Sequence, residues 1–223
     1  MDSVAVPVKT SRFRWVALYG LCIIAAAAAV RRIVALLLPA VPLNSAQYAY
    51  LDAQFASHRA LTLAHIIPAL VFVVLLPAWF AKSIRKNARA HRRLSQALFV
   101  LGVIIGLTAL PMAAKPVGGT TELSAILVFD SVYLFSLARA WLLFIRRDEP
   151  RYREWMMRAI AVLLGIATTR PVMGIFFATA PVTHLTPHEF FGIAFWIGFG
   201  VTYLAGEAWL RKHPVTSDTT SWS

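Results

Sequence analysis

The sequence predicts an all-α fold, a bundle of six transmembrane helices with both termini in the cytoplasm. Of its 223 residues, 59% are hydrophobic and 14% are charged, whereas a soluble domain carries about 25% charged residues. Six apolar runs are long enough to cross a bilayer core, which takes about 20 residues. Sixteen of the 22 Lys and Arg residues fall in the two termini and in alternate connections. Because basic loops stay in the cytoplasm, these connections and both termini are assigned to that side.

The six predicted spans form one transmembrane domain, residues 15–210. They cover residues 15–38, 59–81, 94–114, 123–145, 156–179 and 187–210. The first run resembles a signal sequence but is too long to be a cleaved one, so we interpret it as a retained anchor. Residues 1–14 and 211–223 are predicted as cytoplasmic tails, the second polar and disordered. Residues 41–58 mix polar and aromatic side chains and predict a short helix along the membrane surface.

Composition also bounds the kinds of partner. The formal net charge is +12, but a nucleic-acid-binding protein gathers its basic residues on one soluble face. Here they alternate between loops, so no nucleic-acid partner is expected. Cys22 is the single cysteine, which excludes an intramolecular disulfide and a cysteine metal cluster. The lipid bilayer is the first expected partner.

The fourth and fifth spans form a hairpin that carries charge at membrane depth. A charge there costs at least about 2.5–3.5 kcal/mol, so it marks either a snorkelling end or a polar interior. Arg170 lies about 18 Å along the helix beyond Arg158, and Asp130 lies about 10 Å inside the opposite membrane face. Asp130 and Arg170 are thus predicted at similar depth, and we expect them to form an ion pair. That pair either holds the two helices together or faces a ligand.

Further polar residues are expected in the same layer. His65, near the outer end of the second span, either bonds to a neighbouring helix or faces a pocket. Arg31 and Arg32 approach from the first span, from which they could also snorkel outwards. Facing inwards, these arginines and Arg170 would exceed the negative charge of Asp130. Such an excess favours an anionic ligand, such as a lipid headgroup or a polar-headed isoprenoid. The predicted ligand-binding residues are Arg170, Asp130, His65, Arg31 and Arg32, and no catalytic residue is assigned.

Other polar residues are predicted at the cytoplasmic face. Arg139 is close enough to the end of its helix to snorkel to the surface. Glu207 precedes Arg211 by four residues, the spacing of a helical ion pair. His91 stands in the basic loop of residues 82–93, which we interpret as a solvated face in contact with lipid headgroups.

Histidine spacing raises two cofactor questions. His184-x-x-x-His188 could bind a metal on a helix, but residues 186–189 read as an N-cap, a proline and a capping-box glutamate. His184 then precedes the helix, and no metal site is predicted. Haem b needs two axial histidines at one depth. Only His65 with His184 or His188 could provide them, so haem b is kept as an alternative cofactor.

Four motifs follow one another in a recognisable order. They are His65 in the second span, His91-Arg92 before the third, Trp155-Met156-x-Arg158 opening the fifth, and Thr169-Arg170 within it. This order, over about residues 65–170, resembles the bacterial membrane-protein family known as domain of unknown function 2306. Members typically have a glycine after the His-Arg pair and a His-Arg pair before Trp-Met, where this chain has Ser95 and Tyr152-Arg153. The resemblance implies a multi-pass protein of the bacterial cytoplasmic (inner) membrane and supplies no activity.

Three functions stay open at this point. The first is a membrane enzyme or carrier that binds an anionic amphipathic molecule in the pocket. The second is electron transfer through haem b. The third is a scaffold or partner subunit, because Gly102-x-x-x-Gly106 and Gly198-x-x-x-Thr202-x-x-x-Gly206 allow close helix contacts, including those of a homo- or hetero-oligomer. The broken helix pairs and internal repeats of many transporters are not evident.

Overall fold

The computed structural model describes residues 10–38 and 46–213, with side chains from residue 14 in the first stretch and from residue 49 in the second. Every regular element in these stretches is an α-helix. The helices are α1 (Thr10–Leu37), α2 (Ala46–Ala56), α3 (Arg59–Phe80), α4 (Lys82–Lys86), α5 (Ala88–Ala113), α6 (Gly119–Ile145), α7 (Glu149–Thr183) and α8 (Pro187–Lys212). Six of them, all except α2 and α4, are long and apolar enough to cross a membrane. The predicted all-α, six-span bundle is therefore confirmed, and the membrane side of the termini stays a prediction.

The six long helices alternate in direction, so their connections lie at two ends of the bundle. One end holds the start of α1, the α3–α5 connection, the α6–α7 turn and the end of α8, and we call it the basic end. There, Arg14 Nη2 lies 2.8 Å from His213 Nε2, which brings the start of α1 to the end of α8. The opposite end holds α2 and the connections α5–α6 and α7–α8. We call it the cavity end.

Side-chain caps at the basic end lengthen two helices beyond the predicted spans. Asn87 Oδ1 accepts a hydrogen bond from Ala90 N at 3.1 Å, which satisfies a free backbone donor and starts α5. Most of the predicted loop 82–93 is consequently helical. Asp148 Oδ1 accepts from Arg151 N at 3.3 Å and starts α7 well before the predicted span. The first turns of α5 and α7 are short and polar, so the apolar pattern alone did not predict them as helix.

The predicted capping box at the start of α8 is confirmed. Thr186 N donates to Glu189 Oε2 at 2.8 Å, and Pro187 is the first helical residue. At its other end α8 continues to Lys212, so the predicted tail 211–223 begins as helix. The remainder of the predicted tails and part of the predicted surface segment, residues 1–9, 39–45 and 214–223, lie outside the described residues.

Five helices form a closed ring. Around it, α1 packs against α3, α3 against α5, α5 against α6, α6 against α7, and α7 back against α1. α8 lies outside the ring against both α6 and α7, and α2 packs against α1 and α3. A large apolar cluster that includes Leu76, Leu98 and Met156 fills the ring towards the basic end. Apolar packing therefore closes one half of the ring.

The small-residue faces make their close contacts within the chain. A Cβ on Gly102 of α5 would lie 2.8 Å from Tyr133 Oη of α6. A Cβ on Gly198 of α8 would lie 2.6 Å from the backbone N of Thr169 on α7. These glycines let neighbouring helices approach closely. The faces predicted for a partner or a second copy are thus covered by the protein's own helices at these positions.

Candidate functional site

A cavity of about 230 Å³ lies inside the helix ring at the cavity end. Most of its wall is apolar, with side chains such as Ala29, Ala69 and Phe199. Seven polar or charged side chains of the described residues also line it: Arg32, His65, Lys115, Glu122, Asp130, Tyr133 and Arg170. Four of the five predicted ligand-binding residues therefore lie around one cavity. Arg31 is not among its lining residues.

Asp130 is a buried carboxyl group on the cavity wall. It is 9% exposed, and its Oδ2 has no hydrogen-bond partner among the described residues. The expected ion pair with Arg170 is wrong, because no such pair occurs among the ion pairs of the described chain. Asp130 Oδ1 lies beside α5, 3.4 Å from where a Cβ on Gly106 would be. Arg170 Nη1 instead lies 3.9 Å from Met173 Sδ on its own helix.

Arg31 and Arg32 bind Asp52 of α2, a residue that sequence reasoning did not single out. Arg31 donates two hydrogen bonds, Nη1 to Oδ1 at 3.2 Å and Nη2 to Oδ2 at 2.9 Å, and Arg32 Nη1 pairs with Oδ1. The guanidinium carbon of Arg32 also lies 4.1 Å from the centre of the Phe55 ring, a cation–π contact. Both arginines are thus held against α2, and Arg32 also lines the cavity. The sequence offered one signal for this contact: Asp52 is an acidic residue in the short segment that follows the helix with Arg31 and Arg32.

His65 is oriented by α5. Its Nδ1 lies 3.1 Å from the carbonyl oxygen of Ile105 and 3.0 Å from Thr108 Oγ1. A carbonyl oxygen only accepts hydrogen bonds, so Nδ1 carries the proton and donates. In the neutral ring Nε2 then keeps a lone pair that a bound molecule can use. The predicted contact of His65 with a neighbouring helix is present, and the side chain lines the cavity as well.

Three further cavity residues were missed because they were read as parts of a loop or of a plain apolar run: Lys115, which is exposed, and two that the backbone holds, Glu122 and Tyr133. Glu122 Oε2 accepts a hydrogen bond from Gly118 N at 2.6 Å, which buries its carboxylate in the first turn of α6. Tyr133 Oη donates to the Gly102 carbonyl oxygen at 3.2 Å. Each group is fixed by a backbone partner, so the polar lining is largely preformed.

A second polar cluster lies at the basic end and has no cavity. Trp79 Nε1 lies 3.1 Å from both Ser95 Oγ and Tyr152 Oη, and Tyr152 Oη donates to Ser95 Oγ at 2.8 Å. All three side chains are buried, and we call them the Trp79 cluster. Ser95 and Tyr152 are two of the positions at which this chain departs from the typical family pattern. They contact each other directly.

His91 belongs to the wall of this cluster. It is 7% exposed, and its ring stacks on Trp79 with the ring centres 5.8 Å apart. The expectation of a solvated histidine in a loop is therefore wrong. The reason is that α5 begins at Ala88, which places His91 in a helical turn that faces α3.

Glu207 and Arg139 make different kinds of contact at the basic end. The expected pair of Glu207 with Arg211 does not occur among the ion pairs of the described residues. Glu207 Oε1 instead lies 2.6 Å from Arg158 Nε, because α7 and α8 pack side by side and present the two charges to each other. Arg139 is exposed, with its guanidinium 5.6 Å from the Trp155 ring centre. Snorkelling of Arg139 to the membrane surface stays a prediction.

The remaining histidines do not join His65. His184 ends α7 in the left-handed conformation, with φ of 56°. His188 lies beside Gly119, 3.3 Å from where a Cβ on that glycine would be. Neither is among the described residues that line the cavity. The alternative of a haem held by His65 and one of these residues gains no support from their positions.

Comparison with known proteins gives a family match. Residues 62–207 match the model of a family described as predicted membrane protein (DUF2306). The matched stretch includes the cavity residues from His65 to Phe199 and the whole Trp79 cluster, while Arg32 lies before it. No curated protein and no solved structure matches the chain.

Proposed function

The chain belongs to the DUF2306 family of predicted membrane proteins. Because this family description names no activity, we propose a function from the residues that line the cavity. The protein binds an amphipathic molecule that has an anionic head. The observation that carries this proposal is that Arg32, Lys115 and Arg170 line one apolar cavity inside the helix ring. The same chemistry suits a carrier or an enzyme that processes such a molecule.

The balance of charge supports an anionic head. The cavity is lined by three basic side chains and by the carboxyl groups of Glu122 and Asp130. Glu122 already accepts a backbone hydrogen bond, and Asp52 is shared by Arg31 and Arg32. With Asp52 and Arg31 included, four basic side chains (Arg31, Arg32, Lys115 and Arg170) stand against three carboxyl groups (Asp52, Glu122 and Asp130). A carboxylate or phosphate head would accept hydrogen bonds from the guanidinium groups of Arg32 and Arg170.

The size and wall of the cavity support an amphipathic molecule rather than a polar metabolite. Ligand sites for drug-sized molecules usually measure about 300–1,000 Å³, and this cavity measures about 230 Å³. It therefore accommodates a head group and part of a chain. The rest of the chain would lie between helices, where apolar side chains such as Ile66 and Phe195 continue the wall. His65 Nε2 and the Asp130 carboxyl would bond to polar atoms of the head.

Membrane placement follows from the basic residues. Most Lys and Arg residues lie at the basic end, which the positive-inside rule assigns to the cytoplasm. The cavity end would then face the outer leaflet of a bacterial cytoplasmic membrane. In this arrangement an amphipathic molecule of the outer leaflet would enter the cavity directly from the bilayer.

Mass spectrometry of co-purified molecules tests this proposal. The wild-type protein and Arg170→Gln are purified in a mild non-ionic detergent, extracted with organic solvent and analysed for anionic amphipaths. Loss of a charged hydrogen bond costs about 1.5–3 kcal/mol, so we expect retention to fall by about tenfold or more in Arg170→Gln. Arg139→Gln is the matched control, because Arg139 is an exposed intramembrane arginine outside the cavity.

Equal lipid profiles in the two variants would reject the proposed site. A Soret absorbance band that disappears in His65→Ala would favour haem b instead. A colourless protein that retains no specific molecule would favour the third function, a scaffold or partner subunit.

A further inference from the structure

Arg85, His91 and Arg153 come together at the basic end, away from the cavity. Arg85 is on α4, His91 in the first turns of α5, and Arg153 near the start of α7. The His91 ring stacks on Trp79, with the ring centres 5.8 Å apart. Trp79 Nε1 lies 3.1 Å from the Oη of Tyr152, the residue before Arg153. Arg85 Nη2 donates at 2.9 Å to the carbonyl oxygen of Phe80, the residue after Trp79. We call Arg85, His91 and Arg153 the Arg85 cluster. Two arginines, from α4 and α7, thus lie on either side of a histidine of α5.

Two buried nitrogen atoms of this cluster have no hydrogen-bond partner among the described residues. They are His91 Nε2 and Arg153 Nε. Arg153 Nε lies 3.5 Å from Glu149 Oε2, an ion-pair contact without a hydrogen bond. More than about 90% of buried polar atoms are hydrogen-bonded in native proteins, and an exception calls for an explanation such as a water or an ion. An acceptor from outside the chain would satisfy Arg153 Nε, and it would satisfy His91 Nε2 in the tautomer that carries the proton on that nitrogen.

The electrostatic surroundings favour an anionic acceptor over water. Burial, and then the charge of Arg153, lower the pKa of Arg85, which reports a cation held beside another cation. The start of α5 adds the partial positive charge of a helix N-terminus. The nearest described carboxylate contact, Glu149, is largely turned to the surface, with 51% of its side chain exposed. An anion would form charge-assisted hydrogen bonds with guanidinium groups here, which are stronger than those that water forms.

We infer that Arg85, His91 and Arg153 bind a phosphate group. Guanidinium groups match the spacing of phosphate oxygens and bind them with two parallel hydrogen bonds. A phosphate also has enough oxygen atoms for three donors from three elements, whereas a carboxylate has two. The cluster lies where α3 ends and where α5 and α7 begin. Lipid phosphates are found at the level of such helix ends. The phosphate belongs either to an anionic lipid headgroup or to a soluble phosphate, which offer the same oxygen atoms.

Nuclear magnetic resonance of the full-length protein tests this inference. Histidine is labelled with ¹⁵N, the protein is held in a maltoside detergent, and the His91 signals are assigned with His91→Gln. Inorganic phosphate and dispersed phosphatidylglycerol are titrated separately, with chloride at matched ionic strength as the blank. We expect the His91 signals to shift in a saturable way while the other histidine signals move less.

Two glutamine variants on α7 separate a specific site from general attraction. Arg153→Gln removes a charged donor, and we expect affinity to fall by about tenfold or more. Arg151→Gln is the matched control, because its side chain is 74% exposed and exposed charges contribute little, so affinity should change by less than about threefold. If Arg153→Gln does not fold, the wild-type titration decides alone.

Each outcome has a defined meaning. Saturation with both probes supports a phosphate site open to either source, saturation with phosphatidylglycerol alone supports a headgroup site, and saturation with inorganic phosphate alone supports a soluble phosphate. No shift with either probe overturns the inference. Equal weakening in both α7 variants overturns it as well, because it would indicate attraction by overall charge.

Discussion

The Trp79 cluster and the cavity bury polar groups in opposite ways within one helix ring. In the Trp79 cluster, Trp79, Ser95 and Tyr152 bond directly to each other, and apolar side chains fill the space around them. In the cavity, Arg32 pairs with Asp52 of α2, and three polar side chains bond to the backbone: His65, Glu122 and Tyr133. Asp130 Oδ2 has no hydrogen-bond partner among the described residues. These groups surround about 230 Å³ of space. Mutual bonding stabilises a fold, whereas polar groups held around a space are available to a ligand. The comparison therefore predicts that substitutions in the Trp79 cluster reduce stability most.

The largest effect is expected for Trp79→Ala. This change removes a buried aromatic side chain and leaves Ser95 and Tyr152 with one partner fewer, so the free energy of unfolding should fall by about 3–5 kcal/mol. Chemical unfolding in mixed detergent micelles measures it. Trp141→Ala is the control, because Trp141 is partly exposed on α6 and should cost much less. Equal losses in the two variants would mean that the Trp79 cluster has no special role.

An intermediate effect is expected for Asp52→Asn. The change removes the carboxylate that binds Arg31 and Arg32, and Arg32 is 7% exposed. Breaking a buried ion pair costs about 3–5 kcal/mol. The Asp52 side chain is 26% exposed and solvent screens part of the interaction, so we expect a loss of about 1–2 kcal/mol. The same unfolding measurement applies, and an unchanged stability would show that α2 does not hold these arginines in solution.

The smallest effect is expected for Asp130→Asn, the same change at another carboxyl group of the cavity end. Asp130 Oδ2 has no hydrogen-bond partner among the described residues, so the neutral amide loses no ion pair. The free energy of unfolding of the ligand-free protein should stay within about 1 kcal/mol or increase. A loss as large as that of Asp52→Asn would point to an ion pair with Arg170 after all. It would then favour the structural interpretation of both residues.

Depth along a helix was predictable from the sequence. The rise of about 1.5 Å per residue is fixed by backbone geometry, and the length of each apolar run sets where a span lies. These two rules placed His65, Asp130 and Arg170 in one layer, and all three line the cavity. They also gave the six-helix bundle, which depends on apolar length more than on any particular residue.

Direction around a helix was not predictable in the same way. Asp130 lies beside α5, Glu207 meets Arg158 across the α7–α8 contact, and His91 stacks on Trp79. Each of these contacts depends on which helices become neighbours, and loop sequence does not specify that. Asp52 was missed for a related reason, since the counter-charge of α1 comes from a short helix whose apolar pattern is weak.

An experimental density map of the protein as purified from its native membrane tests the central claim most directly. Crystallography or electron cryo-microscopy would be expected to show elongated density inside the helix ring, with its polar end between Arg32 and Arg170 and its apolar end between the helices. A map in which Asp130 and Arg170 form a direct ion pair and side chains fill the space between them would contradict the claim.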